Sequence, residues 1–360
     1  MTDQSTTPHP AAGPTSDSSP GAPESSTARR LDSSALTPRR ILRAIGPGNL
    51  SLIGALIVLV IIFSSLNGGY LSTGNLAGIG DAVTVFGLLA VVQTVVIICG
   101  AMDISVGSQA GVASVISAMV FTSMGSNPWL GILAAIGFGV VLGIVNGIII
   151  VYGRVNPVIA TLATLAAYKG LAQLISGGKA QGFVLDNDLF IFLARGKVLG
   201  LPVPVIILAV VSIGVHVLLK YTDIGRNIYA IGGNDTAARL SGININKYLI
   251  AVYVLAGIVA AIAGIILTAR TGSGQPVSGS EGLELQSITA AALGGSALKG
   301  GKGTVAGTLL AVLLLGALNN GLNVVGVNTF WQNVAQGALL VAAVVIQQRR
   351  SGERAVGLPT

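Results

Sequence analysis

The chain has 360 residues, of which 52% are hydrophobic and only 9% are charged. Its mean hydropathy is +0.81, whereas soluble domains usually carry about 25% charged residues. Because so few charges cannot cover a water-exposed surface, the composition excludes a soluble globular protein and predicts an all-α polytopic membrane protein. The 50 glycines fit closely packed membrane helices. The net charge of +7 is explained by basic cytoplasmic loops rather than by nucleic acid binding.

The first 40 residues are rich in Ser, Thr, Pro and Ala and contain few large apolar side chains. Such a segment cannot bury a core, so we predict a disordered cytoplasmic tail at 1–40. It does not read as a signal peptide, because the first apolar run begins near Asn49 and no small-residue cleavage site follows it. The predicted membrane domain occupies 41–348, and a short cytoplasmic tail follows at 349–360.

Ten apolar stretches have the length that a bilayer core requires, roughly 17 to 25 residues. The third is rich in Gly and Ser, and the eighth is short enough to be re-entrant. The predicted spans lie at about 49–66, 76–99, 104–123, 129–152, 155–176, 201–219, 247–268, 283–298, 304–325 and 330–347.

The distribution of Lys and Arg sets the predicted orientation of these spans. With the N-terminus inside, 15 of the 20 basic residues fall in the tails and loops on the inner side, and four fall outside. Lys169 lies within a span, and we expect it to snorkel outward. Cytoplasmic loops of membrane proteins carry an excess of basic residues. We therefore predict that both termini are cytoplasmic and that residues 177–200 form the largest external loop.

Residues 220–247 form the longest charged interruption of the apolar body and fall on the predicted cytoplasmic side. They contain the signals of a short helix. Asn234 is suited to cap its start, Asp235 and Arg239 complement its dipole, and Gly242 is suited to end it. A capped helix between two spans has no task in the bilayer, which favours contact with a partner outside it. The alternative is an ordinary loop that happens to be helical.

Two spans share a pattern of small residues and asparagines. Residues 143–147 lead to Asn156, and residues 316–321 lead to Asn328. In the predicted topology these spans run in opposite directions. This arrangement favours an inverted repeat of five plus five spans.

Catalytic chemistry is not apparent in the sequence. The two histidines, His9 and His216, have no nucleophile or metal partner in sequence, and no metal-ligand spacing occurs. Residues 296–303 fail the phosphate-loop pattern, because Ser296 stands where Gly is needed and Gly303 where Ser or Thr is needed. Any ATP must therefore be hydrolysed by another subunit. Cys99, the single cysteine, is expected to be a buried, inert thiol.

Polar side chains within the spans are mostly amides and hydroxyls. The exceptions are Lys169 and Asp103. A carboxylate at bilayer depth costs about 2.5–3.5 kcal/mol, and we interpret Asp103 as a cap of the third span. This scarcity of charge disfavours a proton- or sodium-coupled carrier. Neutral polar groups suit a polyhydroxylated solute, and they equally suit hydrogen bonds between helices. The candidate pathway residues are Asp103, Ser105, Asn146, Asn156, Gln286 and Asn320.

Several stretches in combination resemble the ribose-type sugar permeases of ABC transporters. They are Met102-Asp-Ile-Ser-Val-Gly-Ser108, Asn146-Gly147 with 156–165, 225–243, 294–308 and 319–322. The resemblance runs from about 50 to 347. Ala101 departs from the family, which commonly has Gly there.

The resemblance implies the membrane permease subunit of an importer. It implies three partners: a second permease copy, a cytoplasmic ABC ATPase that holds the ATP and Mg, and an extracytoplasmic sugar-binding protein. This chain would need no cofactor of its own and would not be an enzyme. Residues 225–243 match the segment that couples these permeases to the ATPase. The implied coupling residues are Asn234, Asp235, Ala238, Arg239, Leu240, Gly242 and Ile243.

Three alternatives remain open from the sequence. One is a permease of the same superfamily for branched-chain amino acids or another small polar solute. A second is a self-sufficient carrier or channel, which would transport without ATP or partners. The third is a non-transporting membrane scaffold.

Overall fold

The computed structural model of the chain describes residues 47–351 except 183 and 185. The tails predicted at 1–40 and 349–360 lie outside the described residues, apart from 349–351 at the end of the last helix. The first five helices are α1 (Pro47–Leu66), α2 (Thr73–Ile98), α3 (Val106–Ser123), α4 (Pro128–Val151) and α5 (Pro157–Ser176). A short helix and a hairpin follow: α6 (Asp188–Arg195), β1 (Lys197–Val198) and β2 (Leu201–Pro202). The remaining helices are α7 (Val203–Tyr221), α8 (Asp223–Gly233), α9 (Asp235–Leu240), α10 (Ile245–Thr271), α11 (Leu283–Leu293), α12 (Val305–Val324) and α13 (Thr329–Ser351).

Eight helices in the described part of the chain are long and apolar enough to cross a membrane. They are α1 to α5, α7, α10 and α12, and they match the first seven predicted spans and the ninth. Neither the eighth predicted span, 283–298, nor the tenth, 330–347, is among these eight. The eighth is too short to cross. Its helix, α11, has 11 residues and therefore rises about 16 Å, which is half of a hydrocarbon core of about 30 Å. The tenth predicted span corresponds to α13, which has 23 residues.

The loops gather at two ends of the bundle. At one end the backbone nitrogen of Gly301 donates to the carbonyl of Ile98 over 2.8 Å, which joins the loop after α2 to the loop after α11. At the other end Gln181 and Gly274 exchange backbone hydrogen bonds of 2.9 and 2.7 Å. This grouping of alternate loops agrees with the predicted alternation of the spans. We call the first end, which carries α8 and α9, the coupling end.

Two long helices, α2 with 26 residues and α10 with 27, are each followed by a non-helical segment and another helix. We call α2 with α3, and α10 with α11, the two broken-helix units. Gly107, near the start of α3, lies directly against the backbone of Ser280 and the side chain of Glu284, near the start of α11. The packing is reciprocal: α10 packs on α3 and α4, while α2 packs on α11 and α12. This exchange of partners is the arrangement expected of an inverted repeat, and it relates α4 to α12 as the sequence pattern predicts.

The core is built around α2. Of its most apolar 18-residue stretch, 89% is buried, compared with 11% for α1. A helix that is apolar on all sides is stable only when protein or lipid surrounds it. The sequence of α2 therefore fits a central position among α7, α10, α11 and α12, and α1 presents most of its side chains outward.

Candidate functional site

The short helix predicted in the charged segment is present as α9. The side-chain oxygen of Asn234 accepts a hydrogen bond of 2.9 Å from the backbone nitrogen of Ala237. Gly242 has a φ of +83°, and it donates to the carbonyl of Arg239 over 3.0 Å while Ile243 donates to that of Ala238 over 3.1 Å. These bonds satisfy donors at the start and carbonyls at the end of the helix. Both caps predicted from the sequence are confirmed.

The candidate coupling residues divide between two faces of this segment. Ala238 is buried, and Ile243 packs partly buried against the same core. The remaining candidates are exposed, and Leu240 reaches 85% exposure. Thus α9 is anchored by small and apolar side chains and presents a mixed polar and apolar surface outward. The exposed candidates are Asn234, Asp235, Arg239, Leu240 and Gly242.

A second helix, α8, precedes α9 and was not anticipated from the sequence. Thr222 caps it by accepting from the backbone nitrogen of Gly225 over 3.2 Å. The hydroxyl of Tyr229 donates to the carbonyl of Gly303 over 2.8 Å. Burial raises the pKa of Tyr229 above the ordinary value for tyrosine. The spacing of Ile228 and Ile231, which are both buried, was the available sequence signal of an amphipathic helix.

Four glycines connect these helices to the rest of the bundle: Gly100, Gly232, Gly300 and Gly301, here called the glycine junction. A Cβ atom on Gly232 would overlap the carbonyl oxygen of Ile98 and lie 2.6 Å from the backbone nitrogen of Gly301. The backbone of α8 therefore touches two loops at the coupling end, the one after α2 and the one after α11, which we call the inner loops because the sequence predicts them to be cytoplasmic. Only glycine permits so close an approach at position 232.

Asp103 lies in the segment between α2 and α3 and is fully buried. Its Oδ1 accepts from the backbone nitrogen of Ser105 over 2.8 Å and from the Ser105 hydroxyl over 2.6 Å. Its Oδ2 accepts from Nε2 of Gln109 over 3.1 Å. The predicted cap is therefore wrong: Ser105 is the residue that caps α3, its side chain makes no capping bond, and Asp103 bonds the backbone nitrogen of Ser105 ahead of the helix.

Asn146 of α4 extends this network. It donates to the Ser105 hydroxyl over 2.8 Å and accepts from the hydroxyl of Tyr168 of α5 over 2.9 Å. Asp103, Ser105 and Asn146 are fully buried, and each is engaged by a neighbour. The arrangement ties α3, α4 and α5 to the segment between α2 and α3, which favours the structural alternative for these three pathway candidates.

Asn156 caps α5 at the coupling end by accepting from Val158 over 2.9 Å, and it is exposed. Gln286 and Asn320 lie elsewhere and close together, because both line a cavity of about 410 Å³ between α2, α10, α11 and α12. Asn320 also exchanges two 3.0 Å hydrogen bonds with Asn75 of α2. The structure therefore separates the six pathway candidates into a buried network, a helix cap and a cavity pair.

A second cavity, of about 560 Å³, adjoins the first and shares Gly279, Gln286 and Asn319 with it. We call the two together the amide cavity. Its volume falls within the usual range for sites that hold small ligands. Most of the polar lining is neutral, but Glu281 lines one part and Arg270 the other. The sequence pattern of amides did not reveal these two charges.

Lys169, for which the sequence predicts snorkelling, has an acidic partner that the prediction did not include. Its Nζ lies 2.6 Å from Oε1 of Glu281, so it is paired with a carboxylate from the segment that precedes α11. A charge at bilayer depth is stabilised by an opposite charge, and the distance of 112 positions between the two residues concealed the pair in the sequence.

Broken helices around a polar cavity, together with a capped helix exposed at one end, are the features of a membrane transport subunit. Residues 75–344 match the family described as "branched-chain amino acid transport system / permease component". The ribose import permease protein of Escherichia coli strain K12 is 39% identical over 298 residues, which cover 82% of this chain and 92% of that protein. The ribose import permease protein of Bacillus subtilis strain 168 is 40% identical over 296 residues, 82% of this chain and 91% of that protein.

The L-arabinose transport system permease protein of Escherichia coli strain K12 is 38% identical over 274 residues, 76% of this chain and 82% of that protein. No solved structure matches the chain. The chain belongs to this family of transport permeases, and its predicted resemblance to sugar permeases is confirmed. It is a multi-pass protein of the cell membrane and a transport component rather than an enzyme.

Proposed function

We propose that this chain is the membrane subunit of an ATP-driven importer and that it conducts a pentose or hexose delivered by an extracytoplasmic binding protein. The observation that carries the proposal is the position of α9. This helix is exposed and capped at both ends, and its neighbour α8 touches the inner loops of both broken-helix units through the glycine junction. A partner that moves α9 would therefore also displace, through α8, the helices around the amide cavity.

The cavity supports a sugar as the solute. Gln286, Thr289 and three asparagines on α12 supply amide and hydroxyl groups, which donate and accept hydrogen bonds without requiring a charged solute. The relatives named above are permeases for ribose and L-arabinose. A neutral polyhydroxylated solute fits both observations.

The remaining components follow from this role. A cytoplasmic ABC ATPase would grip the exposed face of α9 and would hold the ATP and Mg, so that this chain needs no cofactor. A second copy of the chain would complete the pathway as a homodimer, with lipid around it. Closure of the ATPase would push α9, and α8 would carry the displacement to the loops after α2 and α11.

Uptake into proteoliposomes tests the proposal. The chain is reconstituted with the ABC ATPase and the binding protein of its transport system, and uptake of labelled ribose, L-arabinose, D-allose and L-leucine is compared with and without ATP. We expect ATP-dependent uptake of at least one sugar and none by the chain alone. Uptake by the chain alone would establish a self-sufficient carrier and contradict the proposal.

The second candidate is import of a branched-chain amino acid. It is favoured by the family description and by Glu281 and Arg270 in the amide cavity, which have the charges to bind an ammonium and a carboxylate group. Lys169 already pairs with Glu281, which leaves that carboxylate less suited to a second cation. Leucine uptake without sugar uptake in the same assay would establish this candidate.

Gln286 is expected to contact the solute, because it lines both parts of the amide cavity. Replacing it by leucine removes the donor and acceptor groups that would bond the sugar. Each lost hydrogen bond weakens binding by about 0.5–1.5 kcal/mol, so we expect sugar uptake to fall about three- to tenfold. Gln173→Leu is the matched control, because Gln173 is exposed near the end of α5. Equal uptake by the two variants would remove Gln286 from the pathway.

Arg239 is expected to contribute to the contact with the ATPase, because it is exposed on α9 and suits the C-terminal end of the helix. For Arg239→Ala we expect less sugar transported per ATP hydrolysed, with normal insertion into the membrane. Because solvent partly screens an exposed charge, we expect its loss to lower the sugar transported per ATP hydrolysed by about 2- to 5-fold. Lys247→Ala, an exposed site at the start of α10, should retain normal coupling. Normal coupling in Arg239→Ala would show that this part of α9 is not the contact surface.

A further inference from the structure

The end of the bundle opposite to α9 carries a structured projection that the transport role does not use. Residues 186–202, here called the outer hairpin region, comprise α6 and the two-residue strands β1 and β2. Phe190 anchors α6 by packing edge-to-face on Phe121 of α3, with ring centroids 5.3 Å apart. The hairpin pairs Lys197 with Pro202 and leads directly into α7. The region is thus fixed to the spans that flank it.

The surface of this region is unusually apolar. Leu199, at the tip of the hairpin, is 98% exposed, and its φ is +53°. A non-glycine residue in the left-handed region is uncommon, and a turn at water-exposed positions would ordinarily use Asn or Gly. Four more large apolar side chains are exposed around it: Ile191, Phe192, Val198 and Leu201.

Two exposed basic side chains, Arg195 and Lys197, lie in the same region. Lys197 is also within electrostatic range of Asp81 of α2, and the carboxylates of α6 and its approach, Asp186 and Asp188, lie at the opposite end of that helix from Arg195. Apolar side chains combined with basic ones are typical of segments that lie in the boundary between lipid headgroups and acyl chains.

The position of the hairpin indicates lipid rather than a soluble partner as the occupant. Leu199 precedes the first residue of the span α7 by four positions, about 13 Å of extended chain at most. The span α7 itself exposes Val210, Ile213 and Val217. The hairpin is therefore joined directly to a helix whose exposed apolar side chains the bilayer covers.

We propose that the outer hairpin region is a membrane-interface anchor, in which Leu199 and Phe192 enter the acyl boundary of the outer leaflet while Arg195 and Lys197 contact lipid phosphates. The anchor would hold the outer ends of α6 and α7 at a fixed depth while the coupling end moves. The proposal requires that the chain span a membrane, but it does not depend on the identity of the solute or on the ATPase.

Site-directed spin labelling of the full chain in phosphatidylcholine and phosphatidylglycerol vesicles tests the anchor. In a Cys99→Ala background, which removes the buried native thiol, the label is attached to Leu199→Cys. The matched control is Lys179→Cys, an exposed polar position at the same end of the bundle. Collision rates with oxygen, which concentrates in lipid, and with a water-soluble nickel chelate are compared.

We expect the label at 199 to collide more often with oxygen than with the nickel chelate, and the label at 179 to show the reverse. A water-exposed label at 199 would overturn the proposal. If that label became protected only after a sugar-binding protein was added, the hairpin would be a docking site for that protein instead. The measurement needs no transport, so its failure is distinct from failure of the proposed function.

Discussion

Replacing Gly232 by alanine is expected to abolish most sugar transport while the chain still inserts into the membrane. The added methyl group would overlap the carbonyl oxygen of Ile98 and crowd the backbone of Gly301. Overpacking of this kind costs about 1–3 kcal/mol, which corresponds to a change of about 5- to 150-fold in an equilibrium between two conformations. The expected readout is a fall in sugar transported per ATP hydrolysed, because α8 would no longer sit against the inner loops.

The neighbouring glycine is a matched control. A Cβ atom at Gly233 meets no atom within 4 Å, so Gly233→Ala should transport normally. A Gly232→Ala chain that is merely destabilised would be recognised by a lowered apparent Tm. If Gly232→Ala transports sugar with normal coupling, the glycine junction does not transmit motion from α9.

The second large effect is expected at Asp103. Replacing it by alanine removes the acceptor for the backbone nitrogen and hydroxyl of Ser105 and for the amide of Gln109. A buried donor left without a partner costs about 1–3 kcal/mol. We therefore expect Asp103→Ala to lower the apparent Tm in detergent by about 2–5 °C, and to reduce the amount of folded chain in the membrane.

Two variants make this prediction specific. Asp103→Asn keeps one oxygen for Ser105 and should lower the apparent Tm less than the alanine variant does. Asp188→Ala changes an exposed carboxylate on α6 and should leave it nearly unchanged. An apparent Tm for Asp103→Ala equal to that of the parent chain would show that the network does not stabilise the fold.

The spans and the short helix α9 could be predicted because their signals are local. Apolar runs of sufficient length specify spans, and Asn234 and Gly242 mark the two ends of α9 within nine positions. The residue at which α11 ends was harder to predict from the sequence, because the predicted span continued through residues 294–298. In the structure Gly294 and Gly295 end it, and Gly295 has a φ of +91°.

The site depended on contacts that sequence spacing does not reveal. The sequence singled out amides in spans, but nothing local distinguishes Asn146, which is buried in a hydrogen-bond network, from Gln286, which lines a cavity. The pair of Lys169 and Glu281 and the contact of Gly232 with Ile98 join residues more than 100 positions apart. Such pairings are fixed by the packing of α2 and α10 against the broken helices, and only the three-dimensional fold brings them together.

The central claim is that this chain is a gate moved from the cytoplasmic side through α9, and labelling of a cysteine at position 240 tests it most directly. Leu240 is 85% exposed on that helix, and Cys99, the only native cysteine, is buried. In a Leu240→Cys chain, a membrane-impermeant maleimide should react in inside-out vesicles and not in right-side-out vesicles. Adding the ATPase subunit should then block the reaction. Labelling from the outer side, or labelling unaffected by the bound ATPase, would contradict the account.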